Sequence, residues 1–554
     1  MTNEAIDYLV EPLTGLDVLT KDYVLDVRFI ITGLLDSDKL LKGLYDVITQ
    51  KWPVMGSRIA SLPQGRFEMR IPKTFCDSQP PLHFDTYEAA EEVAIADCFN
   101  RLPELDALDI KTESDLIAFE SFMLTKPQAY KKLKRKIPSS SIGKQCSGLS
   151  NGPFVLAKDL IDKDIPLIQT LVHLFPNSNE TLVRIILPHC VFDASNIAAL
   201  FRAWSDSMNG RLDRIPSFLP IFQASKSIQE LPEEVLQSCD PKRPPMPKGY
   251  RYGDLSQILM MLFMLIWRWI MLPLLRLQVP SMRRAVNIWV PNEILQSWRE
   301  EARKEALTYG YWHDFFISDN DLCVAWCLER MAKKYDSQLD GNFTLGLAVN
   351  VRTRIPQLAQ KLGIDLRGPS QSSAMANATS IFAHNGAFLW NSGIFSWKDV
   401  SEWPKWSMAI KIREELIRLR QPETADEVSR IMAAMQHCHI TPGAPTLLPM
   451  NPSTLLCATS NWKQADPIAA IDFSSAVLDT VSKPFHNNWA AKTSPGKASE
   501  LSMTEKKTEN PAPTVAVINV LTDRPGKGVL ITVACDGNLI KDHTFGTLVD
   551  LSKL

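Results

Sequence analysis

One segment of the 554-residue chain carries side chains that can move a proton. It reads Leu187-Pro188-His189-Cys190-Val191-Phe192-Asp193-Ala194-Ser195, a histidine four residues ahead of an aspartate. Imidazole titrates near neutrality, so His189 can take a proton from an incoming acceptor at physiological pH. Asp193 can turn back into the protein, pair with an arginine and pin the loop. On these two residues alone a plainer reading is the stronger, since the spacing is short and common by chance: His189 as a buried ring satisfied by backbone groups, and Asp193 as a helix N-cap. Other chemistries lack their residues. There is no Gly-x-Ser-x-Gly for a serine nucleophile. There is no Gly-x-Gly-x-x-Gly and no P-loop. Gly526-Lys527-Gly528 reads as a hairpin turn and not a phosphate cradle. His437-Cys438-His439 makes a poor metal site, because adjacent helical residues point apart and no partner cluster is near.

The histidine needs a rigid support, and the flanking sequence supplies one. Leu182 to Leu187 is an apolar run with one arginine, the mark of a buried strand. Ile197, Leu200, Phe201, Trp204 and Met208 follow at helical spacing, with Gly210 as the stop. Upstream, Tyr23 to Ile31 reads as a strand. Asp36-Ser37-Asp38 then offers an N-cap to an amphipathic helix through Leu40, Leu41, Leu44, Val47 and Ile48, ended by Pro53. Residues 90–135 read as helical or loop-like, ending in the basic run Lys131 to Lys136, taken as a solvated loop. Residues 226–253, rich in Pro, Glu, Lys and Gly, read as a crossing linker. The pattern then restarts: a strand over Ala285–Val290, a helix over Asp319–Lys334, a strand over Thr344–Val351 and a helix over Lys405–Arg420. Two further strands, Val515–Val520 and Val529–Cys535, form a hairpin. Lys492 to Pro513 has few apolar residues and reads as a mobile loop. Strands alternating with helices in both halves give an α/β class.

Composition excludes several partners. The hydrophobic fraction is 45% and the net charge is −2, from 60 basic and 62 acidic residues. That balance argues against a general nucleic-acid binder. The 10 cysteines are scattered with no Cys-x-x-Cys pair, as in a reduced, cytoplasmic protein. The start of the sequence lacks the basic and apolar regions of a secretory signal. Residues 258–275 are apolar enough to consider a membrane, but Arg268 sits mid-stretch and Pro273 would kink it. A buried inter-domain helix fits them better, with peripheral membrane contact as the alternative.

The histidine segment and its Trp-containing helix resemble the His-x-x-x-Asp motif of BAHD-type CoA-dependent acyltransferases, the fungal trichothecene 3-O-acetyltransferase-like members included. Other segments agree in order. Trp52-Pro53-Val54-Met55-Gly56-Ser57-Arg58-Ile59 is similar to the end of the family's early helix. Ser318-Asp319-Asn320-Asp321 resembles the start of the second domain's first helix. Asn350-Val351-Arg352-Thr353-Arg354 resembles the strand-end Arg-x-Arg segment, Ala376-Asn377-Ala378 the Gly-Asn-Ala, and Thr459-Ser460-Asn461-Trp462 the Ser-x-Trp stretch. Asp472-Phe473-Ser474-Ser475-Ala476 stands where the family has Asp-Phe-Gly-Trp-Gly and keeps only its first two residues. Ala194 replaces the usual glycine after the aspartate.

The resemblance implies two chloramphenicol-acetyltransferase-like αβ domains with a channel between them. The expected division is 1–225 for the His-x-x-x-Asp domain, 226–283 for the linker with its apolar helix, and 284–554 for the second domain. It implies His189 as general base and Asp193 in a structural pair with Arg352, Arg354 being the second candidate. Asp472 would order a distal loop. Acyl-CoA, acetyl-CoA above all, would be the co-substrate, with no metal and no permanently bound cofactor. The acceptor would be a hydrophobic alcohol such as a terpenoid or meroterpenoid, and the enzyme a monomer. A single membrane span at 258–275 would put the domains on opposite sides, so the resemblance argues against one. Two alternatives stand beside this reading. One is a condensation-type, amide-forming acyltransferase. The other is a non-catalytic binding protein on the same scaffold.

Overall fold

The computed structural model describes residues 7–13, 17, 20–63, 66–100, 109–119, 132–136, 140–147, 159–220, 250–251, 259, 263, 283–312, 315–335, 341–364, 378–421, 423–424, 427–428, 448–449, 455–463, 465–478, 494–507, 514–522, 527–536, 540 and 544–549. The elements that build the two main sheets and their helices are, in chain order, β1 (Tyr23–Thr32), α1 (Ser37–Asp46), β2 (His83–Ala89), β3 (Ile117–Phe119), β4 (Leu133–Lys136), β5 (Gln169–Phe175), β6 (Glu180–Pro188), α2 (Ala194–Met208), β7 (Arg283–Pro291), α3 (Asn292–Thr308), α4 (Asp319–Tyr335), β8 (Asn342–Asn350), β9 (Ala387–Ser396), α5 (Ser407–Arg418), β10 (Leu455–Asn461), β11 (Ala498–Lys507), β12 (Thr514–Thr522), β13 (Gly528–Asp536) and β14 (Thr547–Val549).

The first sheet has six strands in the order β11-β1-β6-β5-β2-β4. Its central strands are buried on both faces, which is why their sequences read as continuous runs. Leu25, Val27, Phe29 and Ile31 of β1 point into the main apolar core with Leu40, Leu41 and Leu44 of α1 and Phe201 and Trp204 of α2. Asp36 caps α1, accepting from the backbone of Asp38 and Lys39. The two helices approach closely at Gly43, where a Cβ would meet Met208 Cγ at 2.4 Å. Trp204 Nε1 donates to Leu40 O at 2.8 Å across the same contact.

The opposite face of that sheet is polar and still buried. Asp26 accepts from Arg28 (Nε, 3.0 Å; Nη2, 2.7 Å) and from Arg184 (Nε and Nη2, both 2.9 Å). Burial pushes the Asp26 carboxyl up, but the two guanidiniums outweigh it and hold it below the usual carboxylate range. His173 lies on the same face, stacked on Tyr87 at 5.2 Å. Its pKa is down at about 3, from burial first and then from the Arg184 and Arg28 charges.

The second sheet has eight strands in the order β9-β8-β10-β12-β13-β7-β3-β14. Helices α3, α4 and α5 pack beside it around Trp298, Trp326 and Trp406, with ring centroids about 5.4 and 5.5 Å apart.

The two halves of the chain trade strands. β3, from residues 117–119, pairs with β7 in the second sheet. β11, from residues 498–507, pairs antiparallel with β1 in the first. Glu113, just ahead of β3, is held by Trp326 Nε1 at 2.9 Å, by Lys405 Nζ at 2.6 Å and by Arg330.

Two sequence expectations are corrected. Lys492–Pro513 carries strand β11 where a mobile loop is expected, because an edge strand needs only one apolar face and so shows a diluted pattern. The basic run at 131–136 is largely the edge strand β4 and not a loop, with Arg135 paired to Asp85 at 2.6 Å and Lys136 to Glu88 at 3.1 Å. Lysine and arginine on an outer strand discourage pairing with other chains. Most of the 226–253 linker, most of 258–275, and His437-Cys438-His439 lie outside the described residues. Among the described residues no helix is long and apolar enough to cross a membrane, no disulfide is formed and no His/Cys/Asp/Glu cluster suits a metal.

Candidate active site

The site is built where β6 leaves the first sheet. β6 is buried along its length and ends at Pro188. His189 adds one more rung: its backbone N–H donates to Tyr23 O at 2.9 Å. Val191 N and Phe192 N then both reach back to Pro188 O, at 3.2 and 3.1 Å, so the chain turns sharply. The Tyr23 ring stands edge-on to the imidazole, 6.5 Å between centroids. His189 is half-buried. Its Nδ1 is buried and has no hydrogen-bond partner among the described residues.

Asp193 closes the turn and begins α2. Its Oδ1 accepts from Asn196 N at 3.0 Å, which caps the helix. Its Oδ2 accepts from Arg352 Nη1 and from Gly386 N, both at 2.7 Å. The N-cap and the arginine partner are thus both present on one carboxylate. Burial pushes the Asp193 pKa up, yet Arg352 and the two backbone donors bring it below its ordinary value.

Arg352 follows β8 in a short 3-10 turn and is 1% exposed. It donates from Nη2 to Phe382 O at 3.1 Å and to His384 O. Asn350 orients it, accepting from Arg352 N at 3.0 Å, and also donates from Nδ2 to Ser195 Oγ at 3.1 Å. Arg354 goes elsewhere: its Nη1 is 3.5 Å from Leu419 O, and burial together with the Arg420 charge lowers its pKa to about 10.

Asp472 belongs to the far end of α2. Its Oδ1 accepts from Ser474 Oγ at 2.7 Å, its Oδ2 pairs with Lys497 at 2.8 Å, and its backbone N–H donates to Ser205 Oγ at 2.9 Å. At 1.5 Å per residue, α2 separates it from Asp193 by roughly 20 Å. Asp472 therefore ties a loop to the helix and does not join His189.

Several residues at the site carry no signal in the sequence. Asn196 donates from Nδ2 to Val191 O at 3.0 Å and to His384 O at 3.1 Å, stitching the turn to the second half. Gly386 leaves room for the guanidinium, since a Cβ there would stand 2.1 Å from Arg352 Nη1. His384 and Asp17 form a buried pair beside them. The one hint is His384-Asn385-Gly386 placed before an apolar strand.

The site thus places a half-buried imidazole at a strand exit, on a turn tied by a buried Asp–Arg pair to the other half of the chain. No protein-family model matches the chain. The chain is 24% identical over 465 residues to acetyltransferase adrJ of Penicillium roqueforti, covering 82% of this chain and 79% of that one. It is 24% identical over 465 residues to acetyltransferase sphE of Aspergillus fumigatus, covering 83% and 80%. A further relative at 23% over 464 residues, covering 82% and 78%, is named transcriptional regulator calD of Penicillium decumbens. The fold matches F. sporotrichioides TRI101, solved with coenzyme A and T-2, at a TM-score of 0.53 over 96% of both chains and 10% identity. The structural likeness shows a shared fold, and the sequence likeness to proteins named as acetyltransferases runs along most of the chain.

Proposed function

We propose that the chain is an acyl-CoA-dependent O-acetyltransferase that acts on a hydroxyl of a hydrophobic secondary metabolite, such as a terpenoid or meroterpenoid. One observation carries the reading: a half-exposed imidazole at the exit of a buried strand, on a turn tied by Asp193 to Arg352 of the other half. Relatives named as acetyltransferases supply the donor class, and TRI101, solved with coenzyme A and T-2, supplies the chemistry of the pair of substrates.

In this mechanism acetyl-CoA and the alcohol meet in a channel between the two lobes. His189 Nε2 takes the hydroxyl proton as the oxygen attacks the thioester carbonyl. The tetrahedral intermediate collapses, the C–S bond breaks, and the imidazolium returns its proton to the departing thiolate. No acyl-enzyme forms and no metal takes part. General-base help of this kind contributes about 10²–10⁴-fold. Alignment of two substrates adds a proximity term.

The test is thiol release from acetyl-CoA in the presence of hydroxylated terpenoids, with mass detection of the ester. His189→Ala should lower kcat by about 10²–10⁴-fold while leaving the unfolding transition in place. An alanine variant with wild-type turnover would defeat the assignment.

A second reading is a non-catalytic binding protein on this scaffold. The relative named as a transcriptional regulator favours it, as does the departure of Asp472-Phe473-Ser474-Ser475-Ala476 from the family pattern. Acetyl-CoA or alcohol binding without any thiol release would support it.

A further inference from the structure

A second imidazole–carboxylate pair stands beside His189, Asp193 and Arg352. His384 Nδ1 is 2.7 Å from Asp17 Oδ2, and both side chains are fully shut off from solvent, at 0% each. The two residues lie 367 positions apart and come from opposite halves of the chain. Asp17 Oδ1 also accepts from Asn385 N at 2.8 Å, and Asn385 Nδ2 donates to Thr20 Oγ1 at 3.1 Å.

Two series of hydrogen bonds run from this pair to the two ends of the His189–Asp193 turn. On one side Thr20 N donates to Asp17 O at 3.2 Å, Tyr23 N to Thr20 O at 3.0 Å, and His189 N to Tyr23 O at 2.9 Å. On the other side His384 O accepts from Asn196 Nδ2 and Arg352 Nη2, and Gly386 N donates to Asp193 Oδ2 at 2.7 Å. The series closes into a ring that passes through the turn. The Phe382 ring stacks on His384 at 4.9 Å, and among the described residues His384 Nε2 has no hydrogen-bond partner, so there the Asp17 carboxylate is the polar group that holds the imidazole.

We infer that Asp17 and His384 are positioning residues: they clamp the two halves around the 189–193 turn and set where the His189 ring stands against the bound alcohol and thioester. The inference rests on the acyltransferase reading. Its physical content is geometric. A buried carboxylate accepting two hydrogen bonds is costly to disturb. A displacement of ~1 Å at a reacting group costs on the order of 10²-fold in rate.

Asp17→Asn keeps the volume but can satisfy only one of its two donors, His384 Nδ1–H or Asn385 N–H. His384→Leu removes the donor, whereas His384→Asn offers an amide N–H near the place of Nδ1. Kinetics should be measured per folded molecule, alongside the NMR resonances of the His189 imidazole, assigned with His189→Gln. Asp17→Asn and His384→Leu should each lower kcat by about 10–100-fold, leave the acetyl-CoA KM near wild type and shift the His189 ring resonances. His384→Asn should restore most of both. Thr20→Val, a milder loosening of the same ring, should fall between if Asp17→Asn does not fold. Wild-type kcat and unmoved His189 resonances in the folded variants, with only a lowered Tm, would overturn the clamp. If the wild-type protein transfers no acetyl group to any alcohol, the acyltransferase reading fails, and the His189 resonances alone still decide whether the pair positions that ring.

Discussion

At the scale of single residues, the Asp193–Arg352 pair sets the energetics of the site. Both side chains are almost wholly buried, at 5% and 1%. Removing one partner strands the other charge without water, which costs about 3–5 kcal/mol. Asp193→Ala and Arg352→Met should each lower the unfolding free energy read from urea titration by that amount, and the double variant should recover part of it, a coupling that a double-mutant cycle reads directly. Gly386→Ala should be costly for a different reason. Its new Cβ would press on Arg352 Nη1, and overpacking of this kind costs about 1–3 kcal/mol. If Gly386→Ala unfolds at the wild-type midpoint, the tight approach is not a constraint. Legibility at this scale followed distance along the chain. His189 and Asp193 stand within one turn, so their spacing is visible. Arg352 is 159 residues from its partner and is reached only through the strand-end Arg-x-Arg segment. Asp17 and His384 are farther apart still, and nothing in either local sequence marks a buried pair.

Elements came through the sequence in proportion to how deeply they are buried. β1 and β6 lie inside the sheet with apolar neighbours, and their sequences are nearly unbroken apolar runs. α2 declares itself by its apolar spacing. The edge strands β4 and β11 do not, because an edge is wetted and tolerates charge. The polar face of the first sheet is a further consequence of burial, and it has a measurable signature. His173 is 2% exposed on β5, and its pKa of about 3 lies well below the ordinary histidine value. The unfolded chain therefore takes up this proton as pH drops through about 6.5, while the folded chain refuses it until near 3. Stability from this group is complete above pH 6.5 and is lost progressively as pH falls toward 3. Between pH 6.5 and 5 the loss should be roughly 2 kcal/mol. His173→Phe, which keeps a ring against Tyr87 and Phe99, should flatten that part of the profile. Equal acid sensitivity in the variant, measured by urea midpoints at the two pH values, would place its origin elsewhere.

Across the whole molecule, the exchanged strands decide how the two halves cooperate. The first sheet takes its outer strand from residues 498–507, and the second takes β3 from residues 117–119. Glu113 reinforces the second exchange: burial opposes its ionisation, but Lys405, Trp326 and Arg330 together bring its pKa down to about 2. Each half therefore completes the other's sheet. The same dependence appears in the site, where the imidazole comes from one half and the arginine behind it from the other. A boundary drawn between 225 and 284 follows the chain but not the pairing. Residues 1–225 made alone would leave β1 as an open edge ten residues long, an aggregation hazard. Residues 284–554 made alone would lose β3 and the carboxylate that Trp326, Arg330 and Lys405 share. Expressed separately, both pieces should be insoluble or unfolded by circular dichroism. Co-expressed, they should elute as one 1:1 complex in gel filtration and regain any activity of the intact chain. A soluble 1–225 piece with its own cooperative unfolding transition would show that the exchange is dispensable, and that the site's halves assemble only after each has folded.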